Sequence, residues 1–230
     1  MPPSLRRKPP ASTQESNPVT RTVSPPPDKA AAVLSGAREI FLAHGFSAST
    51  TDMIQQAAAV SKSTLYSHYP NKEALFTAVI EAECEYHLAS IRKLKFSDNR
   101  LEWILGEMAR AYLDNVLSPE ALALYRVVVA EAPRFPELAR RFYLAGPGAM
   151  NGIVAEVLDG SISKDELDFS SIGRDAAAAL FVNMVRGEAQ MQCVTHPNSQ
   201  PSAAQRDRWA HEAVASFLRA FRKSKTRARA

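Results

Sequence analysis

The segment that most constrains the fold of this chain is residues 45–80, GFSASTTDMIQQAAAVSKSTLYSHYPNKEALFTAVI. The spacing of its apolar residues predicts two short helices joined by a tight turn and followed at once by a longer helix. Ser49 or Thr50 can cap the first short helix, because a hydroxyl oxygen accepts a hydrogen bond from an otherwise unpaired backbone N–H. Ser61 can cap the second, over residues 62–69, in the same way. This pattern predicts a helix-turn-helix.

The second short helix is very polar for its length. Leu65 is its only clear inward anchor, and the other positions carry hydroxyl, amine, imidazole or phenol groups. Phosphate oxygens and base edges in a DNA major groove would satisfy such groups. Tyr69 can either pack inward or meet a phosphate, and both readings stay open. The expected DNA contacts are Thr50, Thr51, Lys62, Ser63, Thr64, Tyr66, Ser67, His68, Tyr69 and Lys72.

These residues resemble the DNA-binding domain of the TetR family of bacterial transcriptional regulators. The resemblance covers about residues 28–85 and rests on Gly45-Phe46, Ser49-Thr50-Thr51, Val60-Ser61-Lys62, Thr64-Leu65-Tyr66, His68-Tyr69 and the capped run from Asn71 to Leu75. It implies a three-helix helix-turn-helix domain over residues 28–87, followed by a helical ligand-binding and dimerisation domain over 88–224. Ala59 stands where the family usually has glycine. If that turn needs positive φ, alanine costs about 1 kcal/mol there.

The rest of the chain also shows helical periodicity and lacks β signals, so we expect an all-α fold. Helices are expected over residues 101–117, 120–131, a segment ending near 158, 171–194 and 202–223, with a kink at Gly146-Pro147-Gly148. The run AEAPRFPELARRFYLAGP, residues 130–147, resembles a segment of the ligand domain in the AefR-like branch of the same family.

The positive charge of the chain is concentrated at its two ends. The net charge is +4, yet the helix-turn-helix segment is nearly neutral. Residues 1–27 hold eight of the fifteen prolines and almost no apolar side chains, which predicts a disordered basic arm, and residues 225–230 form a basic tail. Such ends are usually only solvated, but they can also add sequence-independent attraction to phosphates. Both readings stay open.

The composition and motifs of the chain exclude other classes of protein. Cys84 and Cys193 show no metal-ligand spacing and are expected to be reduced thiols. No apolar run reaches the ~18 residues of a membrane span, and no signal peptide is recognisable, so we expect a cytoplasmic protein with no membrane partner. The histidines match no catalytic pattern, and neither a Gly-x-Ser-x-Gly elbow nor a Walker loop occurs. We therefore expect no enzyme activity, no metal and no cofactor.

The last two expected helices suggest an assembly. Residues 202–223 carry one continuous apolar stripe, which we expect to be the dimer interface: Ala210, Val214, Phe217, Leu218 and Phe221. The preceding helix is apolar almost all round from Ala176 to Val185 and needs neighbours on two sides. A second subunit can supply one side as a four-helix bundle, whereas in a monomer the core would close over this helix. We expect a homodimer.

The middle helices are rich in aromatic and methionine side chains. Most of these belong in a core, but such a domain can also hold a mostly apolar cavity with a few polar anchors. We predict a small-molecule effector that is largely apolar and partly aromatic, with Asn183 as its polar anchor. The expected ligand-binding residues are Trp103, Tyr112, Phe142, Tyr143, Met150, Phe181, Asn183 and Met184.

These observations favour a ligand-responsive DNA-binding transcriptional regulator, most simply a repressor. It would act as a homodimer on a palindromic double-stranded operator and leave it when the effector binds. The alternative is an all-helical adaptor that holds a protein partner through the short polar helix. Salt-sensitive DNA binding distinguishes the two, because only the regulator is expected to release counterions from phosphates.

Overall fold

The structure, a computed structural model, describes residues 28–96, 100–160, 166–196, 198 and 200–223. In this part of the chain no β-strand forms, and one isolated antiparallel bridge joins Leu167 to Arg222. The expected all-α fold class is confirmed. The helices are α1 (Lys29–Ala48), α2 (Thr51–Ala58), α3 (Lys62–His68), α4 (Lys72–Arg92), α5 (Leu101–Val116), α6 (Pro119–Glu131), α7 (Pro136–Tyr143), a π-helical turn (Leu144–Gly148), α8 (Ala149–Leu158), α9 (Arg174–Thr195) and α10 (Ala203–Phe221). The expected arm at 1–27 and tail at 225–230 lie outside the described residues.

Helices α1 to α4 pack around a cluster of phenylalanine rings. Ring centroids lie 4.8 to 5.8 Å apart within the set Phe41, Phe46 and Phe76. Ile54 of α2 and Leu65 of α3 are fully buried against this cluster, as their spacing predicts. Gly36 allows α2 to approach α1, because a Cβ atom at that position would lie only 2.7 Å from the backbone nitrogen of Ala58.

Two residues of this unit have positive φ. Gly45 has φ 78° and ψ 172°, so it interrupts the helical backbone of α1, and a short helical segment follows it to Ala48. Ala59 ends α2 with φ 52° and ψ 42°, in the left-handed helical region. Among the described residues it is the one position other than glycine with positive φ. The turn between α2 and α3 therefore does require the conformation that glycine adopts most easily.

Helix α4 connects two hydrophobic clusters. Its first half belongs to the cluster around α1–α3, which also takes in Leu124 and Val128 of α6 and Leu138 of α7. Its second half belongs to a larger cluster formed with α5, α8, α9 and α10. The π-helical turn lies where a kink is expected and contains Pro147, which has no N–H for the helical ladder. None of the helices in the described ranges is long and apolar enough to span a membrane.

The stripe on α10 that was expected to form the dimer interface packs inside its own subunit. Four of its members are at most 5% exposed: Ala210, Val214, Phe217 and Leu218. The Phe217 ring lies 5.1 Å from that of Phe181 on α9 and 5.0 Å from that of Phe221. The expectation is corrected for a physical reason: an apolar stripe on a helix is buried against whichever neighbour is nearest, and here α5 and α9 of the same chain cover it.

Candidate nucleic-acid interface and effector cavity

Helix α3 is fixed at one end and exposed along most of its surface. The hydroxyl of Ser61 accepts a hydrogen bond from the backbone N–H of Thr64 at 3.2 Å, which confirms the expected cap. Leu65 is the buried anchor, and the exposed side chains are Lys62, Ser63, Tyr66, Ser67 and His68. Thr64 is half-buried. The helix therefore presents a continuous polar surface whose position is set by one cap and one apolar contact.

The start of α2 lies beside this surface. Thr50 is the cap of α2, and its hydroxyl oxygen accepts from the N–H of Met53 at 3.2 Å. That hydroxyl keeps its own hydrogen for a further acceptor. Thr51, the next residue, is half-buried. The exposed Nζ atom of Lys62 lies 3.7 Å from a carboxylate oxygen of Asp52, a solvated contact that contributes little to stability.

Lys72 is held by the protein rather than extended into solvent. Its Nζ atom donates to the carbonyl oxygens of Phe46 and Ser49, both at 3.0 Å. The same ammonium lies 4.5 Å from the centroid of the Phe46 ring. Lys72 thus ties the start of α4 to the segment that precedes α2. An ammonium group has three N–H donors, so one remains for another acceptor.

Tyr69 follows α3 and is half-buried against the hydrophobic cluster of the helix-turn-helix. Its burial, with a smaller contribution from Asp28, raises the pKa of the phenol. The inward packing that the sequence left open is therefore observed.

A cavity of about 70 Å³ lies at the seam between the two hydrophobic clusters. Its walls come from α4, α5, α6, α7, the π-helical turn and α9. Most of the lining is apolar. The lining residues are Glu83, Cys84, His87, Leu88, Ile91, Tyr112, Asn115, Val116, Ala121, Leu124, Tyr125, Phe142, Gly146, Pro147, Arg186 and Gln190.

Several polar groups in this cavity are paired or held neutral. Glu83 accepts from Nε of Arg38 on α1 at 2.6 Å, and this hydrogen bond raises the pKa of the guanidinium. Burial raises the pKa of the Cys84 thiol to about 12 and that of the Tyr112 phenol to about 12, so both groups stay neutral. By contrast, Nε2 of His87 is buried and has no hydrogen-bond partner. A buried polar atom without a partner is costly, and it is the natural place for a ligand atom to bind.

The cavity includes two of the eight ligand residues expected from the sequence, Tyr112 and Phe142. The other six lie outside this cavity. Trp103 and Tyr143 are 44% and 53% exposed and lie outside the cavity. Asn183 is also exposed and does not line the cavity. The remaining three fill or cover the second cluster: Met150, Phe181 and Met184.

Sequence reasoning placed the ligand between the helices from α4 onward but named no residue of α4 in the cavity. Periodicity assigns Glu83, Cys84 and His87 to a helix, but it cannot show that this part of α4 faces other helices of the second unit. One signal was present. An acid and an imidazole four residues apart, on a helix otherwise rich in core residues, indicate a polar strip that is not simply solvated.

A second apolar face remains open to solvent on α9. Small and apolar residues recur along its exposed side at spacings of four, seven and four residues: Ala176, Leu180, Gly187 and Met191. Leu180 is 42% exposed and Met191 is 63% exposed, although both are large apolar side chains. These residues of α9 form an apolar surface that stays exposed, whereas the apolar stripe on α10 is buried.

Both halves of the chain match sequence models of known domains. Residues 33–79 match the model for bacterial regulatory proteins of the tetR family. Residues 104–223 match the model for the C-terminal domain of AefR-like transcriptional repressors. The HTH-type transcriptional regulator UidR of Escherichia coli (strain K12) is 33% identical over 111 residues, 46% of this chain and 53% of UidR. The chain thus spans about half the length of the curated relatives it matches.

Solved structures share the fold over most of the chain. The Flavonoid-responsive Regulator FrrA is 34% identical with a TM-score of 0.72, covering 84% of this chain and 97% of FrrA. A TetR-family regulator from Mesorhizobium loti has a TM-score of 0.73 at 23% identity, covering 85% of this chain and 97% of that protein. Proteins of this family are DNA-binding regulators rather than enzymes. The chain belongs to the TetR family of bacterial transcriptional regulators and has a C-terminal domain of the AefR-like type.

Proposed function

We propose that the chain is a homodimeric repressor that binds a palindromic operator through α3 of each subunit and leaves it when a small, largely apolar effector enters the cavity. The observation that carries this proposal is the course of α4. Leu75 and Phe76 in its first half are buried in the core that supports α3, and Glu83 and His87 in its second half line the cavity. A displacement of α4 by a ligand must therefore act on the position of α3.

The interface proposed for DNA combines two kinds of contact. Ser63, Tyr66 and His68 approach bases or sugars from the exposed face of α3, with Thr64 and Ser67 beside them. Phosphate contacts come from Thr50, Thr51 and Lys62, and from the remaining N–H donor of Lys72. The free N–H groups at the starts of α2 and α3 add to the attraction for phosphate oxygens. Tyr69 supports α3 from its buried side.

The effector that we propose is small, partly aromatic and mostly apolar. Its apolar part packs against Tyr112 and Phe142, and one polar group pairs with Nε2 of His87, which takes the role first expected of Asn183. FrrA is described as flavonoid-responsive, and its 34% identity over most of this chain supports an aromatic effector here. The mostly apolar lining of the cavity supports the same class.

The size of the cavity supports a coupling mechanism. About 70 Å³ is well below the roughly 300–1,000 Å³ of pockets that hold drug-sized ligands. An effector of that size binds only if the wall moves, so it favours a conformation in which α4 is displaced. In that conformation the two α3 helices of the dimer no longer match successive major grooves about 34–36 Å apart. Couplings of this kind weaken DNA binding by about 5- to 150-fold.

Selection from a random duplex library tests the DNA part of this proposal. The purified protein is expected to enrich a palindrome, with an affinity that falls steeply as salt rises. Tyr66→Ala is expected to weaken binding to that palindrome more than to random duplexes, because it removes a contact from the exposed face of α3. If no sequence were enriched even at low salt, the adaptor function would be favoured instead.

Release of the selected palindrome by a panel of flavonoids and simple phenols tests the effector part. A compound that releases the parent protein is expected to act more weakly on Phe142→Ala, which removes a cavity wall. Trp103→Ala and Tyr143→Ala are matched controls, since both aromatic side chains are exposed outside the cavity. Equal loss of response in the controls would place the ligand elsewhere.

A further inference from the structure

The turn between α6 and α7 is bound directly to the segment in front of α2. The carboxylate of Glu131 accepts from the backbone N–H of Ser47 at 2.9 Å and from its hydroxyl at 2.8 Å. Arg134 donates from its guanidinium to the same hydroxyl oxygen at 3.0 Å. The Phe135 ring meets that of Phe46 edge to face, with 4.8 Å between centroids. These contacts join positions 84 to 89 residues apart in the chain.

The segment that these residues hold is the one that sets the start of the helix-turn-helix. Phe46 is 1% exposed and stacks on Phe76 of α4 at 5.0 Å. The carbonyl oxygens of Phe46 and Ser49 accept hydrogen bonds from the Lys72 ammonium. Thr50, three residues beyond Ser47, caps α2. The position of the α6–α7 turn is therefore transmitted through short, directional contacts to the residues that orient α2 and α3.

We propose that Glu131, Arg134 and Phe135 form a latch that fixes the angle between the DNA-binding unit and the rest of the subunit, and so the separation of the two α3 helices in the dimer. They are positioning residues that act through Ser47 and Phe46. This inference rests on the proposed function, because the separation matters only for a dimer on a palindrome. All three residues belong to the run 130–147, which resembles a segment of the ligand domain in AefR-like proteins.

The latch is a second structural connection between the cavity and α3, in addition to the connection through α4. Leu124 of α6 and Phe142 of α7 line the cavity, and each lies two helical turns from the latch. A ligand that moves α6 or α7 therefore also moves Glu131 or Phe135. The carboxylate matters most, because it accepts both hydrogen bonds from Ser47 and charge-assisted bonds are the stronger kind.

The test compares Glu131→Ala with Glu131→Gln in the full-length dimer, on the palindrome that the parent protein selects from a random duplex library. Glu131→Ala is expected to weaken binding to that palindrome at least about fivefold. Its affinity for a duplex carrying a single half-site is expected to be unchanged. It should also lose less affinity than the parent when the half-sites are moved apart or together by one base pair. Glu131→Gln is expected to restore most of the binding, because its amide oxygen still accepts from Ser47.

Glu137→Ala is the matched control, since Glu137 is exposed on α7 and pairs with Arg140 and Arg141 of its own helix. It should bind both duplexes like the parent. Parental binding of the palindrome and its spacing variants by Glu131→Ala would overturn the latch. Equal weakening on half-site and palindrome would also overturn it, because that result indicates local damage to the helix-turn-helix. If the parent selects no palindrome, the proposed function fails, and the latch fails with it.

Discussion

At the scale of single residues, the informative positions are those where a residue has a conformation or an environment that is unusual for its type. Ala59 adopts a left-handed conformation that disfavours any side chain with a Cβ. His87 buries a ring nitrogen without a partner. Lys72 uses its charge to hold two carbonyl groups rather than solvent. Each of these residues contributes to the helix-turn-helix or to the cavity, and none belongs to a plain stretch of core.

Replacing Ala59 by glycine is expected to stabilise the fold. The left-handed conformation costs alanine roughly 1–2 kcal/mol. Against this, glycine loses about 0.4–1 kcal/mol more conformational entropy on folding, because its unfolded chain is more flexible. The net gain in unfolding free energy is therefore roughly 0.5–1 kcal/mol. Urea denaturation measures this change in unfolding free energy. Ala57→Gly is the control, because Ala57 is exposed within α2 at helical φ, and that change should destabilise by roughly 0.5–1 kcal/mol. Destabilisation by both variants would mean that the turn carries no strain.

The Cys84 thiol predicts a loss of stability at alkaline pH. Burial raises its pKa in the folded protein from 9.0 to about 12, so between those values the unfolded chain binds fewer protons than the folded one. Stability therefore falls as pH rises above about 9, by up to about 1.4 kcal/mol per pH unit from this group. Cys84→Ala should show a shallower decline in unfolding free energy between pH 9 and 11. Parallel declines in the two proteins would contradict the buried thiol.

At the scale of elements, α2, α3 and α4 contribute to the helix-turn-helix in different ways. Helix α2 carries a capping threonine and one buried isoleucine, α3 carries one buried leucine and a polar surface, and α4 ties both to the second unit. Neither short helix is long enough to be stable alone, so their position depends on caps and on the contacts of Lys72 and Leu65. Lys62 at the start of α3 and Lys72 at the start of α4 therefore have different roles.

The two lysines are expected to respond differently to alanine substitution. Lys62→Ala should weaken binding to all DNA sequences and flatten the salt slope by roughly one unit, without changing the unfolding free energy. Lys72→Ala should weaken DNA binding and also destabilise the fold by roughly 1–3 kcal/mol, because two carbonyls lose a charged donor. Salt titrations and urea denaturation separate these effects. Equal stability of the two variants would mean that the Lys72 contacts are only incidental.

At the scale of the whole molecule, α9 has one side in the subunit core and one side in solvent. The covered side includes Phe181 and Val185, and the open side includes Leu180 and Met191. Apolar side chains recurring on an open helix face are typical of an interface between subunits. We therefore assign the proposed dimer contact to α9 and regard the α10 stripe as the support behind it.

Aspartate substitutions distinguish these two faces. Leu180→Asp should leave a folded protein that sediments as a monomer and binds the palindrome weakly. Phe217→Asp should unfold the subunit, because it places an unpaired charge at a fully buried site at a cost of several kcal/mol. Val129→Asp, on an exposed apolar residue of α6, is the control and should stay dimeric. A dimeric, folded Leu180→Asp would show that subunits meet elsewhere.

The sequence by itself determined the helices, their caps and the helix-turn-helix. Short-range patterns are sufficient for these features, because the Ser61 cap, the Leu65 anchor and the left-handed Ala59 depend on neighbours within a few residues. The sequence also predicted that aromatic side chains of the middle helices would bound a cavity, and Tyr112 and Phe142 do so.

Only the tertiary structure decided which face of each helix meets which neighbour. Helical periodicity shows that α10 has an apolar stripe, but the packing of α5 and α9 in the same chain determines that the stripe is internal. Other features also depend on helices that are far apart in sequence. These are the positions of Glu83 and His87 in the cavity lining, the exposure of Trp103 and the contact of Glu131 with Ser47. Contacts between distant segments arise from the free energy of the whole packed chain, and no local pattern of residues encodes them.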